Sequence, residues 1–262
     1  MVCRTNCNSL ILFFIIEVLI FIVGILLSVA FFTLFERKIL GLTQSRLGPN
    51  KVLFWGVFQP VLDGLKLLTK ELFFPQFSSI WGFIFAPVIY FVLILILWLN
   101  SSFFRFLLRS NFGVFFLLAA LGGRVYTSLL TGVNSFSKFA LIGGIRSSAQ
   151  TVRYEICLAI FIFSFLIVWR SFSLSFSGLG FWAFFIFWFI LIISETNRAP
   201  FDFAEGEREL ISGFNIEFGS SGFVFLFLGE YGIILFLSFL GFFILGFSSL
   251  LITSILRFLV VL

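Results

Sequence analysis

Long apolar runs separated by short polar connectors most restrict how this chain can fold. One run, FWAFFIFWFILII at 181–193, ends just before an acidic stretch, and another, GFVFLFLGEYGIILFLSFL at 222–240, follows it. The chain is 61% hydrophobic and only 11% charged, more apolar surface than a soluble domain can bury. Backbone in lipid must be helical or in a closed barrel, and runs without alternation exclude a barrel. The sequence predicts an all-α polytopic membrane protein.

The apolar runs predict six or seven transmembrane helices, since about 20 apolar residues cross a bilayer. They lie near 10–35, 80–99, 112–133, 139–168, 179–194 and 222–244, with a short seventh at 246–262. The segment Gly56–Leu72 differs, because an apolar stripe lies opposite Asp63, Lys66 and Lys70. We expect an amphipathic helix there, lying at the membrane surface.

The charges of the loop 36–77 predict the orientation. This loop holds six basic and three acidic residues, and positive loops stay on the cytoplasmic or matrix side. The N-terminus is then expected on the opposite side. Counting spans places a second polar segment, 195–221, on the inner side too; we call it the acidic connector. We expect residues 1–262 to form a single membrane domain.

The acidic connector holds six of the twelve acidic residues in the chain. Pro200 disfavours helix at the residue before it and allows a new helix to begin at Phe201. In that helix Asp202, Glu205 and Glu209 fall at i, i+3 and i+7, on one face. Like charges so spaced repel, which suits either a solvated loop or groups that exchange protons. Charge alone leaves both interpretations open.

Three carboxyl groups, Glu155, Glu230 and the first acid of the connector, Glu195, lie within or at the edge of apolar runs. A carboxyl group inside a membrane is costly and indicates a function by default. The alternative is structural, with protonated or arginine-paired glutamates joining helices. Because the chain has no histidine, a proton relay here must use carboxyl groups, lysine, tyrosine and water. We favour the relay.

The fourth predicted span carries ionisable groups on two faces. At 100° per residue, Arg146, Gln150 and Arg153 fall within roughly 60° of one another, and Glu155 points nearly the opposite way. We expect such a helix to be enclosed by protein or water rather than by lipid. Two other charges within predicted spans, Glu17 and Arg124, have no role that the pattern assigns.

Residue usage argues against a redox centre in this chain. It has no histidine and three cysteines, fewer than the four thiolates that hold an iron–sulfur cluster. It also has no glycine-rich nucleotide fingerprint. We therefore expect no metal, flavin or iron–sulfur cluster here, and any electrons would come from a partner. The net charge of +5 reflects membrane orientation, and we expect no nucleic-acid partner.

Three stretches resemble a known family. FERKILGLTQSRLGPNKV at 35–52, ALIGGIRSSAQTVRYEICLA at 140–159 and ETNRAPFDFAEGERELISGFNIE at 195–217 are similar to the signature segments of subunit 1 of respiratory complex I. That enzyme is the proton-pumping NADH–quinone oxidoreductase, and the similarity covers roughly residues 30 to 232. It implies the mitochondrial inner membrane, with the N-terminus on the intermembrane-space side.

The resemblance also implies ligands, partners and sites. Ubiquinone would be the substrate, bound together with neighbouring subunits. The partners would be other complex I membrane subunits, soluble iron–sulfur and quinone-site subunits on the inner side, and lipids. Residues 155, 195 and 230 match the family's relay acids. No residue is assigned a catalytic role. The implied quinone cavity is lined by Glu36, Arg37, Asp63, Arg146, Arg198, Asp202, Glu205, Glu207 and Glu209; from sequence alone the same set could be a solvated docking surface.

The sequence departs from the family pattern in two ways. Arg124 stands where relatives usually have a small or apolar residue, and Arg153 where they usually have a small polar one. The family also continues beyond the last run with a charged segment and a final span, and we expect a second chain to supply that part. Two alternatives stay open: the corresponding subunit of a membrane-bound hydrogenase, and an ion transporter without redox coupling.

Overall fold

The computed structural model describes residues 2–52, 54–76, 78–102, 113–169, 182–202, 213–215 and 217–245, and within these ranges every element of regular secondary structure is a helix. The helices are α1 (Val2–Thr43), α2 (Gln59–Leu68), α3 (Ile80–Ser102), α4 (Gly113–Asn134), α5 (Lys138–Trp169), α6 (Trp182–Glu195) and α7 (Ser220–Leu245). Two short 3₁₀ turns lie at Phe54–Gly56 and Gly213–Asn215. The prediction of an all-α membrane protein is confirmed.

In the part of the chain that the structure describes, five helices are long and apolar enough to cross a membrane: α1, α3, α4, α5 and α7. They coincide with five of the predicted spans. A sixth predicted span corresponds to α6, whose apolar part, Phe185–Glu195, is shorter than the five candidate spans. The seventh, at 246–262, lies outside the described residues.

The chain divides into two compact units, Met1–Leu62 and Asp63–Leu262. In the first unit α1 continues through Glu36 and Arg37 to Thr43, well into the segment expected to be a loop. The reason is local, because 36–40 contains only residues compatible with a helix, and Gly48 and Pro49 come later. From within α1, Lys38 Nζ donates a hydrogen bond to the carbonyl oxygen of Trp55, in the segment after the helix, at 2.6 Å.

The expected amphipathic helix is present as α2, although it is shorter than the sequence pattern suggested. Trp55 and Gly56 have positive φ angles of 66° and 73°, which prevents a helix from starting before them. Pro60 occupies the first turn, where a missing N–H costs nothing. None of the α2 side chains is buried, as suits a helix on a surface. Its place at the membrane surface stays a prediction.

In the second unit, α3 packs against α4 and α7, α4 against α5, and α6 against α5 and α7. Its apolar core joins all of these helices through Ile94, Leu121, Leu158, Trp188 and Leu237. Small residues bring helices close where polar groups must meet. A Cβ atom on Gly229 of α7 would lie 2.4 Å from Tyr90 Cε1, so only glycine lets α7 approach α3 at this level.

Candidate functional site

A polar cavity of about 630 Å³ lies within the second unit. Its walls come from α3, α4, α5 and α7, from residues 196–202 of the acidic connector, and from the 3₁₀ turn at 213–215. The charged residues in its lining are Arg124, Arg198, Asp202 and Glu230, two of each sign. Phe223, Phe227 and Ile234 form an apolar side. The cavity therefore combines apolar surface with a balanced set of charges.

The most buried charges of the site form an ion pair between α4 and the end of α6. The Arg124 guanidinium donates to the Glu195 carboxylate and, at 3.3 Å, to the Glu195 backbone carbonyl. Arg124 is 5% exposed and Glu195 is 1% exposed. The buried Tyr90 lines the same cavity, and the charge of the guanidinium acts on its phenol group. The carbonyl is at a helix C-terminus, where a cation is also favoured.

Glu155 completes a cluster of two carboxyl groups around one cation. The charge of Arg124 acts on both Glu155 and Glu195, and the two carboxyl groups act on each other. Gly122, on α4, makes room for the side chain, because a Cβ atom there would lie 2.7 Å from Glu155 Oε1. Glu155 is only half-buried, so its carboxyl group is the more accessible of the two.

Glu230, which lines the cavity from α7, is oriented by the 3₁₀ turn. Asn215 Nδ2 donates to Glu230 Oε1 at 3.2 Å. One helical position further, the Tyr231 ring receives the Arg198 guanidinium over its face, with Cζ at 5.0 Å from the ring centroid, a cation–π geometry. These contacts join the acidic connector and the turn at 213–215 to α7.

Gln150 fixes the connector from α5. Its Nε2 donates to the carbonyl oxygens of Ser194, at 3.0 Å, and Phe201, at 2.7 Å. These two carbonyls flank residues 195–200, so a single buried side chain holds both ends of the segment that carries Arg198. The connector is thereby positioned by a membrane helix.

Several buried polar atoms at the site have no hydrogen-bond partner among the described residues. They are Arg124 Nε, Glu195 Oε2, Asn197 Oδ1 and Asn215 Oδ1, together with Oε1 of Gln150, whose amide nitrogen holds the connector. Buried polar groups in proteins are nearly always satisfied, by protein or by ordered water. The chemistry of these atoms suits a cavity that takes up water or a polar ligand group.

Only some of the residues predicted for the quinone cavity line the polar cavity. Arg198 and Asp202 line the polar cavity. Arg146 is exposed on α5 and is not part of the lining, while Asp63 lies on α2. Glu36 and Arg37 lie on α1, in the other unit. Glu205, Glu207 and Glu209 lie outside the described residues.

One expectation about this region needs correction. A helix does not begin at Phe201, because Phe201 is in a bend and Asp202 has no regular structure. On the fourth predicted span, Arg146 and Arg153 are exposed on the surface of this chain, and enclosure of that helix by protein or water stays a prediction. The pattern indicated which residues share a face, but not which face the core covers.

The sequence pattern also gave no role to Arg124, Asn215 or Tyr90. The intramembrane arginine was a usable signal, because such a cation must find a partner. Among the described residues, no three His, Cys, Asp or Glu side chains come together as a metal-binding group.

Comparison with known proteins supports the resemblance seen in the sequence. A family model described as NADH dehydrogenase matches residues 16–262. The chain is 43% identical over 231 residues to NADH-ubiquinone oxidoreductase chain 1 of Anopheles gambiae, covering 85% of this chain and 74% of the relative. It is 44% identical over 227 residues to the protein of that name from Osphranter rufus, covering 83% and 71%. The Branchiostoma lanceolatum protein is 42% identical over 233 residues, covering 86% and 74%.

Proposed function

The chain belongs to the NADH dehydrogenase family, as a counterpart of chain 1 of NADH–ubiquinone oxidoreductase, and from that premise we propose that its polar cavity couples quinone reduction to proton movement. It is a multi-pass membrane subunit of respiratory complex I, and other subunits of that complex are its partners. The relatives are animal proteins, in agreement with a mitochondrial inner-membrane location. The substrate of the complex is a quinone.

The observation that carries the proposal is the meeting of connector, turn and membrane helices in one polar cavity. Arg198 and Asp202 come from the inner-side connector, Glu230 from α7 and Arg124 from α4. The Arg124 pair extends this charged set to Glu195. A change of charge at the connector is thus within electrostatic reach of all three proposed relay acids, because low-dielectric surroundings screen charges weakly.

Quinone access is proposed for the inner end of this cavity and for the other residues of the predicted set. A quinone needs an apolar path for its tail and polar groups near its headgroup, and the cavity offers both kinds of surface. Soluble iron–sulfur and quinone-site subunits on the inner side would deliver the electrons. This chain would supply the lining and the coupling, and none of its side chains is assigned to the electron transfer itself.

The coupling we propose is electrostatic. Quinone reduction consumes protons and changes the charge near Arg198 and Asp202. Arg198 stacks on Tyr231 and Asn215 holds Glu230, so movement of the connector or the turn alters the surroundings of Glu230. The resulting change in the electric field then affects Glu195 and Glu155 through Arg124. From there it would pass to the pumping subunits of the membrane arm.

Glu195→Gln and Glu230→Gln, introduced separately into the assembled complex, test this function. Each removes one titratable group at nearly constant volume. We expect inhibitor-sensitive, proton-coupled NADH–quinone turnover to fall at least about a hundredfold, which is the lower end of the range for loss of a proton-transfer group. Proton uptake into sealed vesicles and NADH oxidation would be measured on the same preparation.

Glu17→Gln is the matched control, because Glu17 is also a carboxyl group in a membrane-length helix but lies in the first unit, outside the cavity. It should leave turnover close to that of the parent complex. Full coupled activity in both the Glu195 and Glu230 variants would refute the relay.

A further inference from the structure

We propose that Arg124 is a positioning residue that holds Glu195 as a carboxylate and ties the protonation of Glu155 to it, so that two relay acids share one cation. This inference rests on the proposed relay and adds to it a residue without an assigned role. Its basis is the buried ion pair between α4 and α6, with Glu155 in the same electrostatic field.

The geometry limits what Glu195 can do. One carboxylate oxygen, Oε1, accepts from the guanidinium, whereas Oε2 has no hydrogen-bond partner among the described residues. The guanidinium also has an unused donor, because Arg124 Nε has no hydrogen-bond partner among the described residues. A buried charge with one partner is strongly dependent on that partner. Glu195 therefore depends on Arg124 to stay ionised, and its free oxygen is the point at which a proton could arrive.

Titratable and charged groups on several elements surround the pair. Tyr90 lies beside it on α3 and Glu155 on α5, while Glu230 of α7, Arg198 and Asp202 line the cavity that Arg124 also lines. Among these, Arg124 is the one cation that acts directly on both Glu155 and Glu195. Two carboxylates beside a single cation repel each other, so ionisation of one disfavours ionisation of the other.

The ionisation of Glu155 and Glu195 is therefore coupled, and the pair titrates as a unit. Arg124 sets the balance, because it donates directly to Glu195 but only acts at a distance on Glu155. The hydrogen-bonded geometry therefore favours Glu195 over Glu155 as the partner of the guanidinium. A shift of Arg124 into the cavity that it lines would reverse that preference.

The decisive experiment compares Arg124→Met, Glu195→Gln and the double variant in the assembled complex. Arg124→Met keeps the aliphatic bulk of the side chain and removes the charge. It should lower the yield of assembled complex at least about tenfold, because it leaves a buried carboxylate unpaired. The double variant should recover the yield of Glu195→Gln, because no charge is then left without a partner.

Infrared spectroscopy supplies a readout that a packing role would not change. In the Arg124→Met complex that does assemble, we expect an additional carbonyl stretch of a protonated carboxyl group relative to the parent, and this added band should be lost again in the double variant. Arg153→Met removes an exposed arginine from α5 and should leave that band unchanged. Arg124→Lys should restore assembly and suppress the band.

Two results would overturn the inference. One is a double variant that assembles as poorly as Arg124→Met, since Arg124 would then act through something other than Glu195. The other is an Arg124→Met complex with normal yield and no new carboxyl band. Neither result depends on proton pumping, so the ion pair can be established even if Glu195→Gln retains full coupled activity and the proposed relay fails.

Discussion

The arginines of α4 and α5 show how differently one residue type is used in two adjacent membrane-length helices. Arg124 is 5% exposed and pairs with Glu195, whereas Arg153 is on the outer face of α5. Neither is suggested by the family pattern, and both are flanked by apolar residues. Their sequence surroundings therefore do not separate them.

Helix register does separate them. On α4 the buried positions recur every three or four residues, and Arg124 falls on that stripe between Leu121 and Ser128. On α5 Arg153 shares its face with the exposed Val152 and Ile156. A cation on the buried stripe must be neutralised inside the chain, while one on the outer face has to be satisfied elsewhere. The stripe, rather than the residue type, decides which charge belongs to the site.

Charge reversal should give the largest difference in stability between the two arginine positions. Arg124→Glu would place a second carboxylate beside Glu195, and we expect a loss of about 3–5 kcal/mol in stability, as for other broken buried pairs. Arg153→Glu, on the outer face, should cost much less. Thermal inactivation of the assembled complex would measure both.

The swapped double variant, Arg124→Glu with Glu195→Arg, sharpens the test. It restores opposite charges across the same gap, so part of the lost stability should return. Equal losses for Arg124→Glu and Arg153→Glu would show that burial in this chain does not distinguish the two positions.

A smaller effect is expected where α4 and α5 touch through their backbones. A Cβ atom on Gly132 would lie 2.8 Å from the Ala140 carbonyl oxygen and 3.1 Å from Gly144 Cα. Backbone cannot move aside without shifting a helix, so Gly132→Ala should cost up to about 3 kcal/mol in thermal stability of the complex.

Gly122→Ala is the matched control, because its new Cβ atom would meet the end of the Glu155 side chain rather than backbone. That side chain can turn away, so stability should change little while coupled turnover falls through displacement of the Glu155 carboxyl group. If Gly122→Ala proved the more destabilising of the two, the close backbone contact would not be what limits the spacing of these helices.

Much of this architecture could be predicted from the sequence, because hydropathy depends on residues that are close in the chain. The spans near 80–99, 112–133 and 222–244 match α3, α4 and α7 closely. The choice of Glu155, Glu195 and Glu230 as the important acids also needed only their apolar surroundings. Their tertiary contacts were not available from such local information.

The pairing of Arg124 with Glu195 joins residues 71 positions apart, and no periodicity encodes a contact of that kind. Arg146 shows a second limit. Its position beside Gln150 on a helical wheel was correct, yet Gln150 is buried and Arg146 is exposed. A helical wheel gives the angles between residues, whereas packing of the neighbouring helices decides where the edge of the buried stripe lies.

The smallest of the expected effects on stability concerns Gln150, the buried polar residue on the α5 face that also carries Arg146. Gln150→Leu removes both hydrogen bonds to the Ser194 and Phe201 carbonyls at similar volume. We expect a loss of about 1–2 kcal/mol, as for buried carbonyls left without a donor, and faster amide hydrogen exchange in 195–202. Gln150→Glu keeps the shape but lacks the donating N–H group, so it should loosen the connector equally. Parent-like exchange in both variants would mean that Arg198 and Asp202 are positioned from α7 and not from α5.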